Sequence, residues 1–205
     1  MPDKYGGFAE LARHEAVDVD YRVRARYAGP ALVLAPHAGG IEPGTTELAE
    51  AIAAGDHSLY LFEGLKRAQN GDLHITSTRF DEPECLNALQ RFDAVLAIHG
   101  EDSETAVVHI GGRDTAGRDR IATELRAAGF DVRDADRPQL AGEAAANIAN
   151  RGRSGAGVQL EVTAGLRRTF FRRLSPRAER QQTTDAFKRF VTAVRAGFRV
   201  SADGE

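Results

Sequence analysis

The sequence predicts an α/β fold in which helices cover both faces of an open, mixed but mostly parallel β-sheet. Two observations support this prediction. Short apolar runs of about four to six residues, rich in Val, Ile and Leu, recur along the 205-residue chain and are typical of buried strands. Segments with helical periodicity lie between these runs, which is the order expected of an α/β sheet.

Seven runs bounded by turn residues are predicted to be strands. In chain order they are Ala31–Ala35, Leu59–Phe62, Leu73–Ser77, Ala94–Ile98, Ala106–Ile110, Phe130–Arg133 and Val158–Val162. Four segments between them have the apolar spacing of amphipathic helices. These are Thr45–Ala54, Glu84–Phe92, Thr115–Ala128 and Ala141–Asn150.

The C-terminal part of the chain predicts a further helix. Between Pro176 and Phe198, apolar side chains recur at helical spacing on one face, at Phe187, Phe190, Val191 and Val194. Residues 201–205 are expected to form a frayed tail. We therefore divide the chain into a domain of residues 1–170 and a C-terminal extension of residues 171–205, which contains the Arg-rich amphipathic helix and packs on that domain.

Composition excludes several classes of protein. The chain carries 27 basic and 30 acidic side chains, a net charge of −3, so it lacks the excess of positive charge typical of nucleic-acid-binding proteins. Cys85 is the only cysteine, which excludes an internal disulfide and a thiolate zinc site. The sequence has no secretory signal and no apolar run of membrane-spanning length. We expect a cytoplasmic protein with no membrane partner, for which cell lysis is a route of release.

Side chains suited to metal binding and acid–base chemistry follow three of the predicted strands. His37 and Glu42 flank a glycine pair after the first strand, His99 ends the Ala94–Ile98 strand, and Glu161 is near the end of the Val158–Val162 strand. In open α/β sheets, sites lie at the carboxyl ends of the strands, so these side chains are expected to converge. His37, Glu42 and His99 would form a two-His, one-carboxylate zinc site with an open fourth position, and Glu161 would act as general base.

Other interpretations of these residues remain open. The segment around His37 is also compatible with a plain strand-to-helix turn in which Thr45 or Thr46 caps the next helix. Glu63 ends another strand and is the best rival of Glu161 as catalytic carboxylate. The remaining histidines are expected to have no role in the site: His74 and His109 packed within strands, His14 and His57 exposed.

Several segments, taken in order, resemble the phage-type poly-γ-glutamate hydrolases, some of which are labelled phage-related replication proteins. They are PHAGGIEPGTTELA, YLFEG, LHITSTRFDEP, AIHGE, VHIGGRD, NIANRG and GVQLEVT, between about residues 5 and 168. The resemblance implies a carboxypeptidase-like three-layer αβα sandwich and a zinc-dependent amidohydrolase that cleaves γ-glutamyl amide bonds of capsule polymer. It assigns zinc to His37, Glu42 and His99 and the role of base to Glu161. The spacing of His37 and Glu42 is wider than the HxxE of true carboxypeptidases.

The substrate implied by this resemblance is an anionic γ-glutamyl polymer with one free carboxylate per residue, which bidentate donors would bind. Asn150 and Arg151 resemble the Asn-Arg pair that binds a substrate carboxylate in carboxypeptidase-like enzymes. Arg79 and Arg113 lie in turns that follow or connect strands and are further candidates. Two alternatives remain: a zinc amidohydrolase of the same fold that acts on another γ-glutamyl or N-acyl amino acid amide, and a non-enzymatic phage-related nucleic-acid-binding protein.

Six arginines lie close together in the C-terminal part of the chain. They are Arg167, Arg168, Arg172, Arg173, Arg177 and Arg180, interleaved with Phe170 and Phe171. This pattern is compatible with binding of the anionic polymer or of nucleic acid. We favour a solvated helix face with apolar anchors, because the rest of the chain is not basic. A nucleic-acid partner is therefore disfavoured.

Overall fold

The computed structural model describes residues 3–135 and 138–199. The helices are α1 (Phe8–His14), α2 (Thr45–Ala53), α3 (Pro83–Leu89), α4 (Thr115–Ala127), α5 (Pro138–Ala141), α6 (Ala164–Phe170) and α7 (Asp185–Gly197). The strands are β1 (Tyr21–Arg26), β2 (Ala31–Gly39), β3 (Ser58–Gly64), β4 (Ala94–Glu101), β5 (Val108–Gly112), β6 (Val132–Asp134) and β7 (Val158–Thr163). Short 3-10 helices lie at Asn70–Leu73, Ile148–Asn150 and Arg177–Gln181.

The strands form one mixed sheet in the order β1-β3-β2-β4-β7-β5-β6. Strands β3, β2, β4 and β7 pair in parallel in its centre. Strand β1 is antiparallel to β3 and strand β5 is antiparallel to β7, whereas β5 and β6 are parallel to each other. The predicted mixed, mostly parallel α/β sheet is therefore confirmed.

Helices pack on both faces of this sheet and produce three layers. Along β2, Val33 points into one apolar cluster and Leu34 into the other, because successive side chains of a strand face opposite sides. The first cluster contains side chains of α2, α4 and α7, and the second contains side chains of α1 and α3. Every residue of β2 is buried, which explains its continuous apolar sequence.

Six of the seven predicted strands are present, but the strand expected over Leu73–Ser77 is wrong. The chain forms a 3-10 helix at Asn70–Leu73 and then continues without pairing to the sheet. Side chains take the place of a strand partner: the Asp3 carboxylate accepts the Thr76 N–H at 2.7 Å, and the Ile75 carbonyl lies 2.8 Å from His37 Nε2. These distant partners satisfy backbone groups that a β-ladder would otherwise bond.

The predicted helix over Ala141–Asn150 is also wrong. Helix α5 ends at Ala141, Gly142 has a positive φ of 63°, and the next helical residues are the 3-10 helix Ile148–Asn150. The Asn150 amide donates to the carbonyls of Gly142 and Ala144, at 2.6 and 2.9 Å. A side chain that bonds nearby carbonyls competes with helix formation, which accounts for the difference.

Helices α1, α5 and α6 and the edge strand β1 were not predicted. The C-terminal helix begins at Asp185, later than predicted, because Thr184 caps it by accepting the Phe187 N–H. Its Phe187, Phe190 and Val194 belong to the same apolar cluster as α2 and α4.

The division at residue 170 stays a prediction, and the predicted tail at residues 201–205 lies outside the described residues. None of the helices in the described part of the chain has the length and apolarity that a membrane span requires.

Candidate metal centre

His37 and Glu42 meet because the chain reverses sharply at the end of β2. The pairing of β2 with β3 shifts register between Ala35 and Ala38, and Gly39 has a positive φ of 73°. The Glu42 N–H then donates to the His37 carbonyl at 2.9 Å. Thr45 does not cap α2 as the plain-turn interpretation expected, since its hydroxyl donates to the Glu42 carbonyl at 2.8 Å. The turn thus folds Glu42 back onto His37.

His99 joins them from the neighbouring strand β4, and the polar atoms of the three side chains cluster tightly. His37 Nδ1 lies 3.0 Å from Glu42 Oε1 and 3.1 Å from His99 Nδ1, and His99 Nδ1 lies 3.9 Å from Glu42 Oε2. Tetrahedral zinc with bonds of about 2.0–2.1 Å places its ligand atoms roughly 3.3 Å apart. The three side chains therefore have the composition and the spacing to hold a metal ion.

The outward-facing atoms of this cluster are also held in place. His37 Nε2 donates to the Ile75 carbonyl at 2.8 Å, so Nδ1, which faces Glu42 and His99, is the nitrogen that the neutral ring would offer to a metal. His99 Nε2 lies 3.4 Å from Ser77 Oγ, and the Gly100 N–H donates to Glu42 Oε2 at 2.7 Å. Metal-binding histidines commonly use their second nitrogen in this way, so the arrangement fits a metal site.

The electrostatics of the cluster favour a positive ion. Burial alone would lower the pKa of His37, but the charge and hydrogen bond of Glu42 outweigh it and raise that pKa. Burial likewise opposes ionisation of Glu42, whereas His37, His99 and the Gly100 N–H together lower its pKa to about 2. Burial lowers the pKa of His99 to about 3, so this ring is neutral near pH 7, as a metal ligand must be.

Glu161 lies beside the cluster on β7, directly opposite His99 in the parallel register. It is 8% exposed and lines the same cavity. Gln159 donates to Glu161 Oε1 at 2.9 Å, and Asn147 donates to Gln159 Oε1 at 3.0 Å. The carboxylate is thus oriented by a chain of buried amides, next to the three clustered side chains.

The cavity has a volume of about 830 Å³ and its lining is rich in acidic side chains. The acidic lining residues are Asp3, Glu42, Glu101, Asp102, Glu143 and Glu161. Among the described residues that line it, none is Lys or Arg. In the part of the chain that the structure describes, the lining of the cavity is therefore acidic and does not include the candidate substrate-binding arginines.

The four predicted substrate-binding residues are not part of the cavity lining, although Arg79 and Asn150 contact residues that are. Arg79 pairs with the buried carboxylate of Asp3, and Arg113 is exposed. Arg151 donates to the Phe80 carbonyl at 3.0 Å. Asn150 is 3% exposed, and its side chain already bonds to the backbone. Its amide oxygen accepts the N–H groups of Arg113 and Gly157. None of the four lines the cavity, so their role in substrate binding stays a prediction without geometric support.

Glu63, the rival of Glu161, is part of a separate ion-pair cluster. Its fully buried carboxylate pairs with Arg22, Arg24 and Arg177 at 2.7–2.8 Å. Burial would raise the pKa of Glu63, but these arginines lower it. Because Glu63 does not line the cavity, the structure gives it a structural role.

His74 and Asp3 line the cavity, although the sequence assigned neither of them to the site. His74, expected to be packed within a strand, lines the cavity, and its ring centroid lies 4.0 Å from that of His37. Asp3 holds His74 Nδ1 at 2.7 Å. Burial and the neighbouring His37 lower the pKa of His74. Neither residue belongs to a pattern of local spacing, since they meet across 71 positions of sequence.

The predicted solvated face of arginines is wrong for two of its six members. Arg167 and Arg180 are only 2% and 3% exposed. Arg180 donates to Glu47 at 2.8 Å, and Arg167 is bonded to three backbone carbonyls. Arg168 and Arg177 pair with acidic side chains. A continuous basic strip is therefore absent from the described part of this segment.

Comparison with known proteins adds an independent line of evidence. A sequence model of the family described as poly-gamma-glutamate hydrolase matches residues 5–193. The chain is 38% identical to the protein YndL of Bacillus subtilis strain 168 over 192 residues, which are 92% of this chain and 75% of YndL.

Two solved structures have the same fold. The structure of a bacteriophage poly-gamma-glutamate hydrolase superposes with a TM-score of 0.90 at 34% identity and covers 96% of each chain. A structure of YndL, described as a zinc-free apo form, superposes with a TM-score of 0.86 at 36% identity and covers 94% of this chain and 95% of that one. Sequence and fold are thus similar to the same group of proteins.

Proposed function

The chain belongs to the poly-γ-glutamate hydrolase family, and from this premise we propose that it is a zinc-dependent hydrolase of the γ-glutamyl amide bonds of poly-γ-glutamate. The observation that carries the proposal is the cluster of His37, Glu42 and His99 beside Glu161. The description of a YndL structure as a zinc-free form supports zinc as the metal.

His37, Glu42 and His99 would hold the ion through two neutral imidazoles and one carboxylate, which leaves a position open for substrate or water. Bound there, zinc supplies Lewis acidity that polarises the scissile carbonyl and makes water more acidic. The buried setting of the two imidazoles keeps their second nitrogens on Ile75 and Ser77 and so fixes the orientation of the rings.

Glu161 would act as general base. Its carboxylate takes a proton from the attacking water while the water oxygen bonds to the amide carbon. The C–N bond then breaks, and Glu161 passes the proton to the departing amine nitrogen. Gln159 holds Glu161 Oε1 during these steps, so that the carboxylate remains aimed at the cavity.

Metal analysis and two variants test this proposal. We expect about one zinc per chain, shortening of poly-γ-glutamate, and loss of that activity on chelation. His99→Ala should lose the metal, with His14→Ala as control because His14 is exposed and does not line the cavity. Glu161→Gln should keep the metal and lose about 10²–10⁴-fold in kcat, with the exposed Glu124→Gln as control.

The outcomes separate the alternatives. A protein that binds no zinc, and does not shorten the polymer after reconstitution with zinc, would contradict the proposal. Equal loss of metal in the His99 and Glu161 variants would make Glu161 a ligand rather than the base. The preferred amide is identified by comparing the products formed from poly-γ-glutamate with those from three other substrates. These are α-linked polyglutamate, other γ-glutamyl amides and N-acyl amino acids.

A further inference from the structure

Arg167 is buried beneath the candidate metal centre. It lies on α6, the helix that directly follows β7, and is 2% exposed. Its guanidinium group donates to three backbone carbonyls: Nε to Val162 at 3.0 Å, Nη1 to Pro43 at 2.5 Å and Nη2 to Glu101 at 3.1 Å. A planar guanidinium directs its donors in fixed directions, so a single side chain can join three separate segments.

The three carbonyls belong to the segments that carry the proposed site. Pro43 follows Glu42 in the turn after β2, Glu101 is two residues beyond His99 on β4, and Val162 follows Glu161 on β7. Arg167 therefore connects three neighbouring strands of the sheet through hydrogen bonds one or two residues beyond Glu42, His99 and Glu161.

Gly100 shows how closely the guanidinium approaches the site. A Cβ atom at this position would lie 2.7 Å from Arg167 Cζ and 2.9 Å from each of its terminal nitrogens. The same glycine donates its N–H to Glu42 Oε2 at 2.7 Å. The backbone of Gly100 thus lies between the guanidinium group and a proposed metal ligand, and a side chain there would displace one of them.

Other side chains cannot reproduce these contacts. A methionine of similar length has no donors and would leave three carbonyls without their partner. A lysine keeps the charge, but its compact ammonium group cannot span three acceptors in the plane of a guanidinium. Burial of the Arg167 cation costs desolvation free energy. Three hydrogen bonds from the charged guanidinium group offset this cost.

We propose that Arg167 is a positioning residue that holds the metal-binding side chains and Glu161 in their mutual arrangement by joining the three strand ends. This inference rests on the proposed function, since it takes His37, Glu42 and His99 as metal ligands and Glu161 as base. It adds a residue that contacts neither metal nor substrate.

The test compares Arg167→Met and Arg167→Lys with Arg168→Met. Arg168 is the next residue of the same helix, but its side chain is 51% exposed, which makes it a matched control. Zinc affinity is measured by competition with a chromophoric chelator, and the visible absorption of the Co²⁺-substituted protein reports ligand geometry. Steady-state hydrolysis of poly-γ-glutamate gives kcat and KM separately.

For Arg167→Met we expect zinc affinity to fall about 10–100-fold, as for loss of other groups that orient metal ligands. The Co²⁺ spectrum should change and kcat should fall, whereas KM should stay near the wild-type value. The zinc affinity and kcat of Arg167→Lys should lie between those of Arg167→Met and wild type. If Arg167→Met does not fold, the comparison of Arg167→Lys with wild type tests the inference. Arg168→Met should match wild type in every measurement.

Variants of Arg167 that unfold at lower temperature, yet bind zinc and turn over substrate as Arg168→Met does, would overturn the inference. That result would leave Arg167 with a role in stability alone. The proposed function is tested separately by the wild-type protein, because a wild type without zinc binding and without hydrolysis would contradict it whatever the variants show.

Discussion

At the scale of single residues, the site depends on buried polar side chains that each have a defined partner. Glu161 is held by Gln159, His37 by Ile75, and Glu42 by the Gly100 N–H. The proximity of His37, Glu42, His99 and Glu161 could be predicted, because each lies near the end of a recognisable strand or just after it. Their partners could not, because a hydrogen bond between distant segments leaves no local pattern.

Replacement of Gln159 tests the orientation of the base. Gln159 is 1% exposed, and leucine in its place would fill the space without donating to Glu161. We expect Gln159→Leu to retain zinc and to lose at least about tenfold in kcat, part of the 10²–10⁴-fold that a general base contributes. The exposed Gln181→Leu is the control. Unchanged kcat in Gln159→Leu would show that Glu161 needs no such support.

The lowered pKa of Asp3 predicts that acid reduces the stability of the folded protein. Burial opposes its ionisation, but the Thr76 N–H and His74 lower its pKa to about 2 from the usual 3.8. A pKa lowered by folding stabilises the protein above pH 3.8, and this contribution is lost as the pH falls to about 2. The difference in Tm between wild type and Asp3→Asn should therefore shrink over that interval. Asp119→Asn, at an exposed position, is the control.

At the scale of elements, the strands were predicted well and the connections poorly. Strands β2 and β4 contain continuous apolar runs because the sheet buries both of their faces, whereas β7 alternates apolar residues with Gln159 and Glu161. The segments at residues 73–77 and 141–150 do not form the predicted strand and helix because Asp3, His37 and Asn150 bind their backbone groups. Short apolar runs do not show whether such side-chain partners exist.

The turn after β2 requires glycine at position 39. Gly39 has a φ of 73°, and a Cβ there would lie 2.5 Å from the Gly64 carbonyl oxygen. We expect Gly39→Ala to lower the free energy of unfolding by more than the roughly 1–2 kcal/mol cost of a left-handed residue, because the clash adds to it. Thermal unfolding measures the effect. Gly55→Ala is the control, since a Cβ at Gly55 has open space, and an equal loss in both variants would refute this explanation.

At the scale of the whole molecule, the C-terminal helix is part of the main core. Helix α7 contributes Phe187, Phe190 and Val194 to the cluster that also contains Leu48 of α2 and Ile121 of α4. The spacing of apolar residues predicted the apolar face of α7. It did not predict that this face packs against α2 and α4. The arginines before it were expected to be solvated, and two of them are buried instead.

Phe190→Ala should therefore destabilise the entire protein. Phe190 is fully buried, and truncation of such a residue to alanine costs about 3–5 kcal/mol. For a chain of this size, that corresponds to a decrease in Tm of roughly 10 °C. The neighbouring Arg189→Ala, at an exposed position, should change Tm little. A single unfolding transition at unchanged Tm in Phe190→Ala would show that α7 is dispensable.

The α/β class, the central strands, and the three strand ends that carry His37, Glu42, His99 and Glu161 could be predicted from the amino-acid sequence. These features follow from local periodicity and from the rule that parallel strands end at one edge of a sheet. The folded molecule was needed to show that Asp3 and His74 line the cavity, that the candidate arginines do not, and that Arg167 bonds the ends of three segments. The physical reason is separation along the chain: Asp3 bonds Thr76 across 73 positions and Arg167 bonds Pro43 across 124, distances over which no local pattern is preserved.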